Sequence, residues 1–341
     1  MNDSRNEQNR LVVVSLVLIA IVATGVVLLY ARSVLIPFVL ALFISLLVSP
    51  ILDFQVLRLK IPRALAVIIT LVLILVILAV LFMFVSSAIQ SIVSTAGRYS
   101  ESFVNLVKII LDKVKTWGVV PDQSEILAML NERVPGLIKG SFGTALGLIS
   151  STFLVSIFVC FMLAGRNSNE IRQGIYSEID HQVRRYIAIK VVLSSITGIL
   201  VWATLSLFKL ELANVFGILA FLLNFIPSIG SIVATLLPIP IAVAQFQNPW
   251  MVALVVGVPG IIQMVIGNGV EPKLLGKGLH LHPVTVLMAL AFWGLLWGIP
   301  GMFLAIPMTA VIRIVLMQFD TLKPIGDILA GRLPQVEKSP D

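Results

Sequence analysis

Residues 212–246 read LANVFGILAFLLNFIPSIGSIVATLLPIPIAVAQF: an apolar run, a break at Asn224-Phe225-Ile226-Pro227-Ser228-Ile229-Gly230, and a second apolar run from Ser231 to Phe246. Proline and glycine free backbone N–H and C=O groups from the helical ladder, and hydrocarbon offers those groups no partner. Such a break survives at membrane depth only where protein or a wet cavity covers it, so the pattern predicts a cavity beside the break. A second stretch repeats the design. Pro283 to Leu296 is apolar, Trp297-Gly298-Ile299-Pro300-Gly301 interrupts, and Met302 to Ile312 resumes. The arms hold about 11 to 16 residues each, short of the ~20 needed to cross a ~30 Å hydrocarbon core. Two helical hairpins entering from opposite faces fit these lengths, and so do two kinked, tilted spans; periodicity does not separate them. Paired interrupted segments point to the binding site of a secondary transporter, because half-helix ends aim their dipoles at a polar solute.

Outward from these stretches the chain stays apolar. Between Leu212 and Ile312 the only charged side chains are Glu271, Lys273 and Lys277. All 341 residues together are 58% hydrophobic and 12% charged, where soluble domains carry about 25% charged residues. The fold class is therefore all-α: a polytopic membrane protein of about six to ten transmembrane segments, two of them candidate broken hairpins, with one small soluble helical hairpin. The net charge of +7 does not imply nucleic acid. Most Lys and Arg flank apolar runs, where they meet anionic headgroups of the lipid bilayer and set orientation. With Cys160 as the single cysteine, neither an intrachain disulfide nor a cysteine metal site is possible.

Five regions follow in order. Residues 1–97 hold a polar start and the N-terminal spans: Leu11 to Tyr30, then Ser33 to Leu52 after a tight turn at Arg32 that makes an antiparallel pair, then Ala64 to Gly97. Residues 98–139 form an extracytoplasmic amphipathic helical insertion, with Phe103, Leu106, Val107, Ile110, Val114 and Trp117 at helical spacing and a capping box at Asp122 and Glu125. Residues 140–190 are a span plus a basic cytoplasmic loop, Arg166 to Lys190. Residues 191–318 are a transport core, in which Val191 to Phe208 and Trp250 to Val270 cross beside the two broken stretches. Residues 319–341 are a cytoplasmic tail. Counting Lys and Arg over short loops puts 16 on one side and 2 on the other, which predicts that both termini are cytoplasmic.

Glu271 is the only acidic residue between Leu212 and Ile312. In the loop-like run Asn268-Gly269-Val270-Glu271-Pro272-Lys273 it suits either an interfacial carboxylate near Lys273 or a group that couples to a proton or cation. Asn224 sits at the first break, where its amide both donates and accepts, and a solute or pore role is favoured over local capping. His280 and His282 lack a third ligand, so no metal is expected. No phosphate-binding loop, zinc-protease or nucleophile-elbow motif occurs; no catalytic residue and no cofactor are expected, and the chain is not read as an enzyme. Gly140, Gly143 and Gly147 mark a close helix-packing face.

Four motifs in this order, Asn224 to Gly230, Glu271-Pro272-Lys273-Leu274-Leu275-Gly276, Leu281-His282-Pro283, and Gly298-Ile299-Pro300-Gly301 with Ile306-Pro307-Met308-Thr309, resemble the C-terminal signature of the autoinducer-2 exporter family of bacterial permeases. The likeness extends to the layout of nearly the whole chain. It implies a multi-pass protein of the bacterial inner membrane, a homo-oligomer, exporting a small polar signal molecule in quorum sensing. Some relatives are instead described as sodium or lithium/proton antiporters. Asn224, Pro227, Ser228, Gly230, Glu271, Pro272, Gly298, Pro300 and Gly301 are the residues expected to line or hinge the path. A membrane scaffold or regulator whose working part is the soluble insertion is the reading from another class.

Overall fold

The computed structural model describes residues 2–80, 82–84, 86–87, 90–91, 152–165, 174–246, 248–275 and 281–332. The insertion at 98–139 and the glycine face at 140–147 lie outside them. The regular elements among the described residues are all helices, with no strand among them: α1 (Asn2–Tyr30), α2 (Arg32–Leu57), α3 (Arg63–Phe84), α4 (Thr152–Gly165), α5 (Ile175–Leu207), α6 (Ala213–Leu223), α7 (Ile229–Leu236), α8 (Ile239–Gln245), α9 (Pro249–Met264), a π-helical turn (Val265–Val270), α10 (Glu271–Leu275), α11 (Pro283–Leu316) and α12 (Lys323–Leu329). They fall into two compact units. One comprises Met1–Leu46, Leu154–Val183 and His280–Asp341; the other comprises Leu47–Phe153 and Arg184–Leu279.

Among the described residues, five helical stretches are long and apolar enough to cross a membrane: α2, α3, Ser177–Leu207, Pro249–Leu275 and α11. Their outward faces stay apolar, as with Val192 and Ile199 of α5, both more than half exposed. Water would penalise such a surface, and lipid does not. The chain is a multi-pass helical membrane protein.

In the second unit α6 and α7 fold back on each other around residues 224–228, and α7 and α8 pack on α9. The reversal is a γ-turn. Ser228 takes φ 61°, ψ −57°, and the Ile229 amide donates to the Pro227 carbonyl at 2.6 Å. This conformation is strained for any residue with a Cβ and persists only where the surroundings enforce it. Gly230 lies so close to the first arm that a Cβ there would stand 1.8 Å from the Leu223 carbonyl oxygen. With 11 residues, α6 is about 16 Å long, half a hydrocarbon core.

The first unit holds the other break. Although α11 is helical by hydrogen bonding over 34 residues, Gly298 inside it has φ 65°, ψ −142°, a conformation open essentially to glycine alone. Trp293 Nε1 donates to Thr309 Oγ1 at 3.2 Å, although 16 residues of straight helix would separate the two by ~24 Å. A Cβ on Gly301 would stand 1.9 Å from the Trp293 carbonyl oxygen. The short helix α12 touches both ends: the His282 amide donates to the Leu329 carbonyl at 3.0 Å, and Arg313 Nε to the Gly326 carbonyl at 3.2 Å. Straight helix would hold residues 282 and 313 about 46 Å apart. So α11 is a hairpin with its tip at Gly298, not a rod. Trp297 at that tip donates to the Leu28 carbonyl at 3.0 Å, satisfying an orphan acceptor in the last turn of α1.

The turn between α1 and α2 falls at Ala31, one residue before Arg32. Two local expectations change. The basic stretch expected as a loop up to Lys190 is helical from Ile175 onward, and Asn268 to Lys273 is π- and α-helix, not loop. The first lacks a glycine or proline after Gly174, and in the second the π turn accommodates Gly267 and Gly269, with Pro272 in the first turn of α10, where its missing N–H is tolerated.

Candidate functional site

The helices around the first break line a half-open cavity of about 500 Å³. On α5 the residues Tyr186, Lys190, Ser194 and Thr197 recur at helical spacing and are all buried, a polar stripe on a helix whose opposite face is apolar. That inversion suits a membrane protein, where the polar side turns away from lipid. Lys190 is 2% exposed and its Nζ lies 2.6 Å from Glu271 Oε1 at the head of α10. Asn224, at the C-terminus of α6, donates from Nδ2 to Ser194 Oγ at 3.0 Å, and its backbone N–H donates to the Ala220 carbonyl at 3.0 Å. One residue thus ends α6 and ties the break to α5.

From α7 and its entry come Pro227, Ser228, Ser231 and Thr235; from α9 and the π turn come Gly260, Gln263, Gly267 and Asn268. Positions 260, 264, 267, 268 and 271 share one face, and the π turn lets that face run on to Glu271. Arg185 Nη2 donates to the Leu274 carbonyl at 3.2 Å and holds the end of α10. The arrangement presents hydroxyls, amides and one ion pair around a space the size of a small metabolite, within helices otherwise built for lipid. It holds no nucleophile–base pair among the lining residues and is suited to binding.

Of the residues expected to form the path, Asn224, Pro227, Ser228 and Glu271 line this cavity. Gly230, between the lining residues Ser228 and Ser231, is the contact that closes the hairpin, and Pro272 is exposed next to Glu271. Gly298, Pro300 and Gly301 belong to the α11 hairpin in the other unit. The sequence suggests Lys273 as the neighbour of Glu271, but the carboxylate pairs with Lys190, 81 residues upstream. Lys190, Ser194, Ser231 and Gln263 are lining or supporting residues that the sequence reading misses. The signal for the first two is the i, i+4, i+8 spacing of Tyr186, Lys190 and Ser194, which disappears when a loop is drawn as far as Lys190.

A family model for AI-2E family transporters matches residues 16–320. The chain belongs to the AI-2E transporter family. It is 31% identical to the AI-2 transport protein TqsA of Escherichia coli (strain K12) over 320 residues, 90% of this chain and 92% of that one. Proteins named provisionally as transport proteins in Borreliella burgdorferi and Haemophilus influenzae are each 30% identical, over 88% and 87% of this chain and 86% and 90% of theirs. As a member of the AI-2E family the chain is a membrane transport protein, and its broken hairpins and polar cavity are read in that light.

Proposed function

We propose that the protein exports a small polar signal molecule such as autoinducer-2 across the bacterial inner membrane, with the cavity at the first break as the solute site and both termini cytoplasmic. The observation that supports this reading is the polar cavity itself: Asn224, Ser231, Gln263 and the Lys190–Glu271 pair surround about 500 Å³ of space beside a short, strained hairpin. Polar and ionisable groups at membrane depth are costly, and substrate pathways are where they occur. Sodium/proton exchange through Glu271 is the rival use of the same site, but its carboxylate already has a cation in Lys190.

The test is uptake of labelled autoinducer-2 into inverted vesicles containing the protein, with sodium flux measured beside it. Asn224→Ala removes the bond to Ser194 and a polar lining group; uptake is expected to fall at least about tenfold. Autoinducer-2 uptake indistinguishable from empty vesicles, or sodium flux in its place, would overturn the proposal.

A further inference from the structure

On the reading that this cavity is the transport site, α10 is placed to control it. None of its five residues is buried, so no buried apolar side chain anchors it. Among the described residues, two polar contacts fasten it to α5: Glu271 Oε1 lies 2.6 Å from Lys190 Nζ, and the Leu274 carbonyl accepts from Arg185 Nη2 at 3.2 Å. Lys190 and Glu271 both line the cavity, so while they are joined the wall is closed where α5 and α10 meet. Swinging α10 away from α5 forfeits little in a half-open cavity, because both ions return to water together. Deleting one of them instead strands the other inside.

The π turn between α9 and α10 supplies a hinge. It holds Gly267 and Gly269. A glycine within a helix is ordinarily explained by a left-handed backbone or by a neighbour too close for a side chain. Neither applies here. Neither residue has a positive φ, a Cβ on Gly269 would meet nothing within 4 Å, and one on Gly267 would meet only Ser231 Oγ at 3.9 Å. Glycine weakens a helix relative to alanine, and π turns are frequent at functional sites. Two glycines with nothing to accommodate, in the turn that leads to a helix fastened to α5 by polar contacts, supply backbone freedom. Gly267 and Asn268 also border the cavity, so the hinge lies in the wall that it moves. We infer that α10 is a gate on the cavity: it swings about residues 267–269, the Lys190–Glu271 pair with Arg185 latches it against α5, and solute passes when the latch parts.

The experiment follows amide hydrogen exchange of the detergent-purified full-length protein, corrected for intrinsic rates, beside its thermal unfolding midpoint and uptake of labelled autoinducer-2 into inverted vesicles. In the parent, residues 267–275 are expected to exchange faster than residues 251–263 of α9. Gly267→Ala with Gly269→Ala should slow that exchange and the maximal uptake rate about tenfold each, with the midpoint unchanged or higher, because alanine favours the helix and stiffens the hinge. Arg185→Gln, which removes one of the two fastenings, should speed the exchange about fivefold. Gly257→Ala, equally open but in the regular part of α9, should leave uptake and the exchange of 267–275 as in the parent. Glycines that serve only the fold would give the opposite result, a lowered midpoint with unchanged exchange. Gly269→Ala alone serves the comparison if the double variant does not fold. Exchange of 267–275 no faster than that of α9, uptake by the double variant equal to the parent's, or an equal loss of uptake in Gly257→Ala overturns the inference. Absence of autoinducer-2 uptake in the parent would defeat the proposed function alone, and the exchange rates would still decide the gate. Uptake by the parent that is insensitive to both hinge alanines would defeat the gate alone.

Discussion

Replacing Lys190 by Met is expected to cost about 3–5 kcal/mol of stability, because it leaves the Glu271 carboxylate without its cation at a point where both side chains are themselves shielded from solvent. The lysine is 2% exposed and Glu271 13%, so solvent can do little to replace the lost partner. Removing both charges together, as Lys190→Met with Glu271→Leu, should restore most of the loss, since two apolar side chains of similar size need no pairing. Denaturant unfolding in mild detergent of the parent, both single variants and the double variant closes the cycle. A single-variant cost below about 1 kcal/mol would mean that the pair behaves like an exposed surface ion pair, reached freely by the water of the cavity.

Alanine at Gly230 or Gly301 is expected to be comparably damaging, by more than about 3 kcal/mol, through backbone and not charge. The added methyl would stand 1.8 Å from the Leu223 carbonyl oxygen in one hairpin and 1.9 Å from the Trp293 carbonyl oxygen in the other. Neither oxygen is the end of a flexible side chain, so the arms themselves must separate. In the α11 hairpin that separation also endangers the Trp293–Thr309 hydrogen bond. Gly257→Ala is the control: nothing lies within 4 Å of its Cβ position, and it sits inside α9, where alanine is favoured over glycine by about 0.5–1 kcal/mol. Equal stability for all three alanine variants would refute the close approach of the arms.

These two glycines show how far the sequence can be read. Break, flanking apolar arms and short arm lengths are all visible in residues 212–246 and 283–312, because proline, glycine and hydropathy act locally. That the arms touch is a tertiary fact, and it takes the Trp293–Thr309 bond and the two anchors on α12 to establish it for α11. Asn224, Pro227, Ser228 and Glu271, which line the cavity, are legible in the sequence because each is a polar or helix-breaking departure from an apolar background. Lys190 is not. It lies in a sequence rich in basic residues, where a headgroup contact is the ordinary explanation, and only the fold brings it to Glu271. Gln263 is hidden for the opposite reason: one uncharged amide in an apolar span carries no pattern, and only the fold places it beside the cavity.

The central claim is that the first break encloses a hydrated solute site within the membrane, and thiol chemistry tests it directly, because only a thiolate in contact with water reacts with a charged thiol reagent. In a Cys160→Ser background, which removes the one native cysteine, Ser231→Cys places a thiol on the cavity wall and Val192→Cys places one on the outward apolar face of α5. Membrane-impermeant methanethiosulfonate should modify the cysteine at 231 readily, more slowly when autoinducer-2 is present, and leave that at 192 almost untouched. If the cysteine at 231 proves as inert as that at 192, the break is sealed and the account is wrong.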